Sequence, residues 1–296
     1  MLKYLFILIS FSIHSQSIVI LDLKNNEPIS YVAIELFEGG NIHYDYSNVD
    51  GVFTLPTNKT IDKIRFGCLG YESKEILFKE TKGKIYLTPK ITLLKEVVVS
   101  SATKFLGNLG NNLKSTYAAG KNHEHCFFIE NTIGLESGIK SFQFYMGKLS
   151  NKLTYVMRFR LYKKDKYSIF PGETIEVQNN FFEISEKLTG LYKIDLADYN
   201  ILLPKEGAFI SIEIVEIKNK KGNKIGTEEQ SKINYEDKLF LYFTYGKEDV
   251  LYDKKYSFFK VAGKNANKWF ECVEGLRINR PDAEYSNFKF ILEVFE

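Results

Sequence analysis

The chain has 296 residues, room for two domains at ~100–200 residues each. Hydrophobic residues make up 44% and charged residues 26% of it, which sustains a packed core and excludes disorder as the main state. The 40 basic and 37 acidic side chains nearly cancel, to +3, and they alternate locally as in Lys163-Lys164-Asp165-Lys166. The concentrated basic stripe of a nucleic-acid binder is therefore not there, and no nucleic-acid partner is expected.

Lys3 and the apolar run Tyr4 to Ile13 have the pattern of an export signal. As a helix this run spans about 15 Å, half of a ~30 Å hydrocarbon core. The pattern predicts a signal peptide over residues 1–15, cut between Ser15 and Gln16; the competing reading is a buried N-terminal strand. No Cys lies near the cut to carry a lipid, and no later run approaches ~18 apolar residues. An exported protein without a membrane-spanning segment is expected: periplasmic, outer-membrane-associated or secreted.

With 24 Phe and 19 Tyr the composition leans to sheet. Short strands are predicted at Ser17 to Leu23, Tyr31 to Phe37, Ile42 to Tyr46, Val52 to Leu55, Ile61 to Cys68, Tyr71 to Phe78, Lys84 to Leu87 and Leu93 to Val99. In the second of these, Val32, Ile34 and Leu36 alternate with Ala33 and Glu35. Asn48-Val49-Asp50-Gly51 is a hairpin signal, because Asp and Gly tolerate the positive φ of a tight turn.

The order of these pieces matters: Asn26-Glu27-Pro28-Ile29, then Val32-Ala33-Ile34-Glu35-Leu36, then Asn48-Val49-Asp50-Gly51-Val52-Phe53. Ile64-Arg65-Phe66-Gly67-Cys68-Leu69-Gly70-Tyr71 and Leu94-Lys95-Glu96-Val97-Val98-Val99 follow. In this order they resemble the carboxypeptidase regulatory-like domain of Bacteroidota exported proteins, TonB-dependent receptors included. The resemblance covers about residues 17–100, within a first domain expected over residues 16–100. It implies a seven-stranded, prealbumin-like β-sandwich and no peptidase activity. The residues after Val99 are too few for a receptor barrel of ~22 strands at ~9–11 residues each.

Gly107, Asn108, Gly110, Asn111 and Asn112 read as a linker over residues 101–116, with a short helix in it. Strands resume over residues 117–296: Cys126 to Glu130, Gly138 to Tyr145, Thr154 to Tyr162, Leu191 to Leu196, Phe209 to Val215, Lys238 to Tyr245, Ser257 to Val261, Lys268 to Cys272 and Asn287 to Phe295. Lys218 to Glu236 reads as a loop. Ile139–Tyr145, Phe159–Asp165 and Tyr192–Glu216 resemble a jelly-roll-like domain that accompanies the first domain in other Bacteroidota proteins. The expected fold is all-β, two sandwiches in series.

Few residues have the spacing of a reactive site. His123-Glu124-His125 would put two imidazoles on one side of a strand. A catalytic zinc needs three protein ligands and an open position, and HExxH is absent. An exposed strand edge is the expectation there, with no metal and no cofactor. Only His43, His123 and His125 lie outside the expected signal peptide, and with no G-x-S-x-G they argue against a serine nucleophile. Asp195 and Asp198 are one of many chance carboxylate pairs. Cys68, Cys126 and Cys272 lack CxxC spacing and read as isolated thiols, one disulfide among them being the alternative. No catalytic residue is assigned. The candidate ligand contacts are Arg158, Arg160, Tyr162, Tyr192 and Trp269: two guanidinium groups on an otherwise apolar strand, and rings able to stack on a sugar. The arginines have two readings, an exposed sheet face or a buried pair with an acid such as Asp195. The expected function is a non-catalytic envelope accessory protein, the first domain docking and the second binding a glycan or an envelope protein. A carbohydrate-active enzyme and a surface-assembly subunit are the alternatives.

Overall fold

The computed structural model describes residues 17–56, 60–68, 70–81, 83–90, 102–109, 115–147, 149, 152–175, 180–185, 189–246, 257–261, 268–272 and 285–296. The expected signal peptide and the strand Leu93 to Val99 lie outside these residues. The chain forms two compact units, Met1–Asn41 with Tyr46–Pro89 and Ile42–Asp45 with Lys90–Glu296. Both are β-sandwiches, as the alternating patterns predict. Among the described residues no helix is long and apolar enough to cross a membrane.

The first seven strands are β1 (Ser17–Asp22), β2 (Ala33–Glu38), β3 (Asn41–Tyr46), β4 (Val52–Thr54), β5 (Lys63–Gly67), β6 (Lys74–Leu77) and β7 (Lys84–Leu87). They make a three-stranded sheet, β4-β1-β7, and a four-stranded sheet, β3-β2-β5-β6. Period-2 alternation puts Val32, Ile34 and Leu36 in the core with Ile18, Ile20, Phe53, Ile64, Phe66, Ile85 and Leu87. The outward positions Glu35, Arg65 and Glu75 instead form an ion ladder across β2, β5 and β6. The β3–β4 turn closes on Asn48, whose Oδ1 accepts hydrogen bonds from the backbone N–H groups of Asp50 and Val52. Gly51 sits at φ +70°, and a Cβ there would meet the Ile20 carbonyl at 2.7 Å. Only glycine fits that approach.

The second unit carries β8 (Thr103–Gly107), β9 (Ser115–Ala119), β10 (His123–Ile129), β11 (Ser137–Met146), β12 (Leu153–Lys164), β13 (Pro171–Ile175), β14 (Phe181–Ile184), β15 (Gly190–Asp195), β16 (Leu202–Leu203) and β17 (Ala208–Asn219). It continues with α1 (Thr227–Ser231), β18 (Leu239–Gly246), β19 (Ser257–Val261), β20 (Phe270–Glu271), β21 (Tyr285–Phe288) and β22 (Phe290–Phe295). A seven-stranded sheet runs β13-β12-β17-β10-β19-β20, with β14 also on β12. An eight-stranded sheet runs β21-β18-β11-β22-β8, with β15 and β16 on β11 and β9 on β18. Their inner faces interlock through phenylalanines: Phe142 of β11 lies 5.2 Å from Phe159 of β12 and 5.2 Å from Phe290 of β22, ring centre to ring centre. Such offset and edge-on pairs add to the burial energy of each ring.

Two expectations need correction. Residues 101–116 are not all linker: Thr103–Gly107 is β8, paired along β22 from Phe295 to Ile291. Gly107 is there because a Cβ would stand 2.5 Å from the Phe290 carbonyl, a demand of close packing rather than of flexibility. The stretch Lys218 to Glu236 holds the end of β17 and the helical turn α1, where the sequence reads as plain loop.

Candidate functional site

The site grows from the register of β12, β17, β10 and β19. Tyr155, Met157, Phe159 and Leu161 of β12 point into the sandwich and are buried. Arg158, Arg160 and Tyr162 point the other way, opposite Glu213, Ser211 and Phe209 of β17. Continuing across the sheet, Glu124 stands opposite Glu213, Cys126 opposite Ser211, and Lys260 of β19 opposite Glu124. One outer sheet face thus gathers two arginines, one lysine and two glutamates.

These side chains form a closed network. Glu124 accepts hydrogen bonds from Tyr162 Oη at 2.6 Å, Ser211 Oγ at 2.7 Å and Arg160 at 3.0 Å, and Lys260 Nζ stands 2.8 Å from it. Glu213 binds Arg158 at 2.7 Å and Arg160 at 3.3 Å. Arg160 also donates to the Tyr162 oxygen at 3.0 Å. Burial alone would push the Glu124 carboxyl up, but the charges of Lys260 and Arg160 outweigh it and hold the group at about 2. Glu124 is therefore a permanent anion. Burial and the Glu124 charge push the Tyr162 hydroxyl well up, so it stays a donor.

Apolar groups surround the network. Cys126, Phe128, Tyr162, Phe209 and Phe258 make a small second core on this face, with Phe170 and Trp269 packed against it. The half-buried Trp269 meets Tyr162 edge-on at 5.6 Å, and Lys260 Nζ sits 4.6 Å from its ring centre. Phe181 of β14 lies 5.8 Å from the Arg158 guanidinium. Arg160 and Lys260 keep 19% and 18% of their side chains exposed, whereas Glu124 keeps 1%. The cations and the indole are what solvent reaches.

Four of the five expected contacts, Arg158, Arg160, Tyr162 and Trp269, thus share one face. Tyr192 does not: it lies half-buried on β15 of the other sheet, its ring 5.5 Å from Phe144 and 6.2 Å from Phe182. The exposed-face reading of the arginines fails for Arg158, which is buried and paired. Its partner is Glu213 and not Asp195, whose carboxylate accepts from the Ala197 N–H on the opposite sheet. Glu124, Ser211, Glu213 and Lys260 are the members that sequence reasoning missed. Glu213 and Ser211 were visible as polar breaks in the strand Phe209 to Val215, but only the strand register shows what they face.

The His123-Glu124-His125 stretch is not a strand edge, because β10 lies between β17 and β19. Its two imidazoles face inward and Glu124 outward. His125 is buried between the rings of Tyr117 and Phe288, each 5.1 Å away. Burial and the neighbouring His123 hold it down at about 3, hence neutral. No disulfide joins Cys68, Cys126 and Cys272. Among the described residues, no group of three or more His, Cys, Asp and Glu could hold a metal ion.

No protein-family model matches the chain, and no curated protein matches it. Two solved structures are similar in part. The cysteine protease and lectin-like domains of Cwp84, a surface-layer-associated protein of Clostridium difficile, align over 90% of this chain at 10% identity with a TM-score of 0.41. The chain spans 59% of that protein's structure. A DUF3823 family protein from Bacteroides ovatus ATCC 8483 aligns over 77% of this chain and 95% of its own at 11% identity, with a TM-score of 0.18. At these scores neither carries an argument about function.

Proposed function

We propose that the protein is an exported, non-catalytic binding protein of the cell envelope, and that its second unit takes a glycan on the outer face of the seven-stranded sheet. The observation that carries this reading is the half-buried Trp269 ring set beside Lys260 and Tyr162, above a network of fixed charges. A saccharide needs an aromatic plate for its C–H surface and rigid polar groups for its hydroxyls, and this corner offers both within reach. The first unit, in keeping with its resemblance to carboxypeptidase regulatory-like domains, serves as a structural or docking module.

The chemistry of the face favours binding over hydrolysis. A glycosidase keeps one carboxyl protonated near neutral pH and sets its two carboxyls about 5–10 Å apart around a cleft. Glu124 and Glu213 are cross-strand neighbours, but Arg160 bridges them and Glu124 is held ionised. Neither is poised as a general acid. The open clefts of about 280 and 560 Å³ that share Lys152 and Asn219 are lined by other residues.

A glycan array probed with the mature chain tests the proposal, with Trp269→Ala as control. Specific glycans should bind the wild type at least about 10-fold more tightly than the variant, the usual loss for an aromatic anchor of more than 1 kcal/mol. Capture of a specific envelope protein without any glycan signal would replace the sugar by a protein partner.

A further inference from the structure

Eight buried side-chain polar atoms among the described residues have no hydrogen-bond partner, and four of them fall within residues 122–125. They are Asn122 Oδ1, His123 Nδ1 and both ring nitrogens of His125. Leaving a buried polar atom without a hydrogen bond is costly. Such a concentration on one strand calls for a ligand rather than for chance.

The chemistry of the surroundings narrows that ligand. His123 and His125 are two apart on β10, so both imidazoles face the inner side, with ring centres 6.2 Å apart. An ion midway between two ring nitrogens stands about 2 Å from each, hence about 3 Å from each ring centre, which matches that separation for a nearly linear arrangement. With no third protein ligand in the described residues, a four-coordinate zinc or six-coordinate calcium site is not offered. The walls are apolar: Tyr117 and Phe288 flank His125, and Phe259 lies beside Tyr117. Glu124 points to the opposite face of the sheet and is not a ligand here. A singly charged, soft ion with a preference for two imidazoles suits this setting. His123, the first residue of β10, is half-buried, whereas His125 is fully buried.

We infer that His123 and His125 form a two-coordinate binding site for a monovalent d10 cation, Cu(I) or its analogue Ag(I), on the inner face of the seven-stranded sheet. This site is separate from the glycan face and does not depend on it.

The test is a titration of the mature chain with Ag(I), followed through the ring nitrogens of isotope-labelled histidine. A Cys68→Ser, Cys272→Ser background removes the half-buried thiols; Cys126 is fully buried and faces the other side of the sheet. One equivalent should shift the His123 and His125 resonances and leave His43 unmoved, while Zn(II) at the same concentration shifts none. An outer-shell partner is worth 10–100-fold, so losing one of two direct ligands in His123→Phe or His125→Phe should weaken binding by at least about 100-fold. Should His125→Phe not fold, His123→Phe at its half-buried position carries the comparison. Absence of a histidine shift at one equivalent, or unchanged affinity in the folded variants, overturns the inference.

Discussion

Two sheet faces of this protein carry a ladder of opposite charges, and they differ chiefly in water. On the four-stranded sheet Arg65 reaches Glu35 and Glu75, each at 2.9 Å, and Lys63 reaches Glu75 at 2.8 Å, with side chains 22–44% exposed. On the seven-stranded sheet Arg158, Arg160 and Lys260 reach Glu124 and Glu213 at similar distances, with both carboxylates at 5% exposure or less. The attraction between unit charges 4 Å apart is about 1 kcal/mol in water and about 4 kcal/mol at the effective dielectric of a protein site. Desolvation opposes that gain on the buried face, so the second ladder holds together only as a complete set. The exposed ladder tolerates a missing member; the buried one should not.

The largest expected effect follows from that asymmetry. Glu124→Ala removes the acceptor of Tyr162, Ser211 and Arg160 and the counter-charge of Lys260 at once. Breaking a buried ion set by deleting one member costs about 3–5 kcal/mol. The chain has a single tryptophan, Trp269, beside this network. Its fluorescence during urea unfolding therefore reports on the second unit. A loss well below about 1 kcal/mol would mean that the network is no drier than the exposed ladder.

Acid titration separates the groups by window. His125 is held at about 3 against an ordinary 6.5. The unfolded chain thus takes up this proton first, and stability falls from about pH 6.5 downward, by about 1.4 kcal/mol per pH unit, until pH nears 3. Glu124 and Glu293 are both held at about 2 against an ordinary 4.5. Their contribution is complete above about pH 4.5 and is lost as pH falls from there toward 2. In His125→Phe the decline of the urea midpoint between about pH 6.5 and 5 should be shallower than in the wild type, the remainder coming from His123, whose imidazole is also held below its ordinary value by burial. A wild-type profile flat from pH 7 to 5 would show that His125 is hydrated and titrates normally.

The alternation of β2 and β12 is legible in sequence because a half-buried strand writes its two faces as alternate letters. Val32, Ile34 and Leu36, and Tyr155, Met157, Phe159 and Leu161, all fall inward as that pattern predicts. The pattern does not carry register. Arg158 and Arg160 stand out as charges among apolar neighbours, but their acids lie 55 and 36 positions away in the chain, respectively, on strands whose pairing no local signal fixes. Tyr192 looks like the other tyrosines and turns out to pack, half-buried, against Phe144 and Phe182 on the other sheet, because aromatic side chains serve packing and recognition equally well. Gly107 reads as flexibility when it marks a close backbone approach. His125 is the opposite case: the letters His-Glu-His are visible, while the burial that leaves its ring nitrogens without partners is a tertiary fact.

The smallest expected effect completes the comparison. Arg65→Ala deletes the hub of the exposed ladder, and Lys63 remains on Glu75. Burial favours neither partner here, and side-chain entropy offsets much of the Coulomb gain. The carboxyl of Glu75 is held below its usual range by hydrogen bonds from Lys63 and Arg65, so the interaction exists, but it exists in solvent. Thermal unfolding of the first unit should therefore barely move at low ionic strength. The residual difference should vanish at about 1 M salt, where the screening length falls to ~3 Å. The same salt should leave the Glu124→Ala penalty largely intact, since the carboxylates of Glu124 and Glu213 are buried away from mobile ions. If salt erased both penalties alike, the two faces would be electrostatically equivalent and the contrast drawn between them would be wrong.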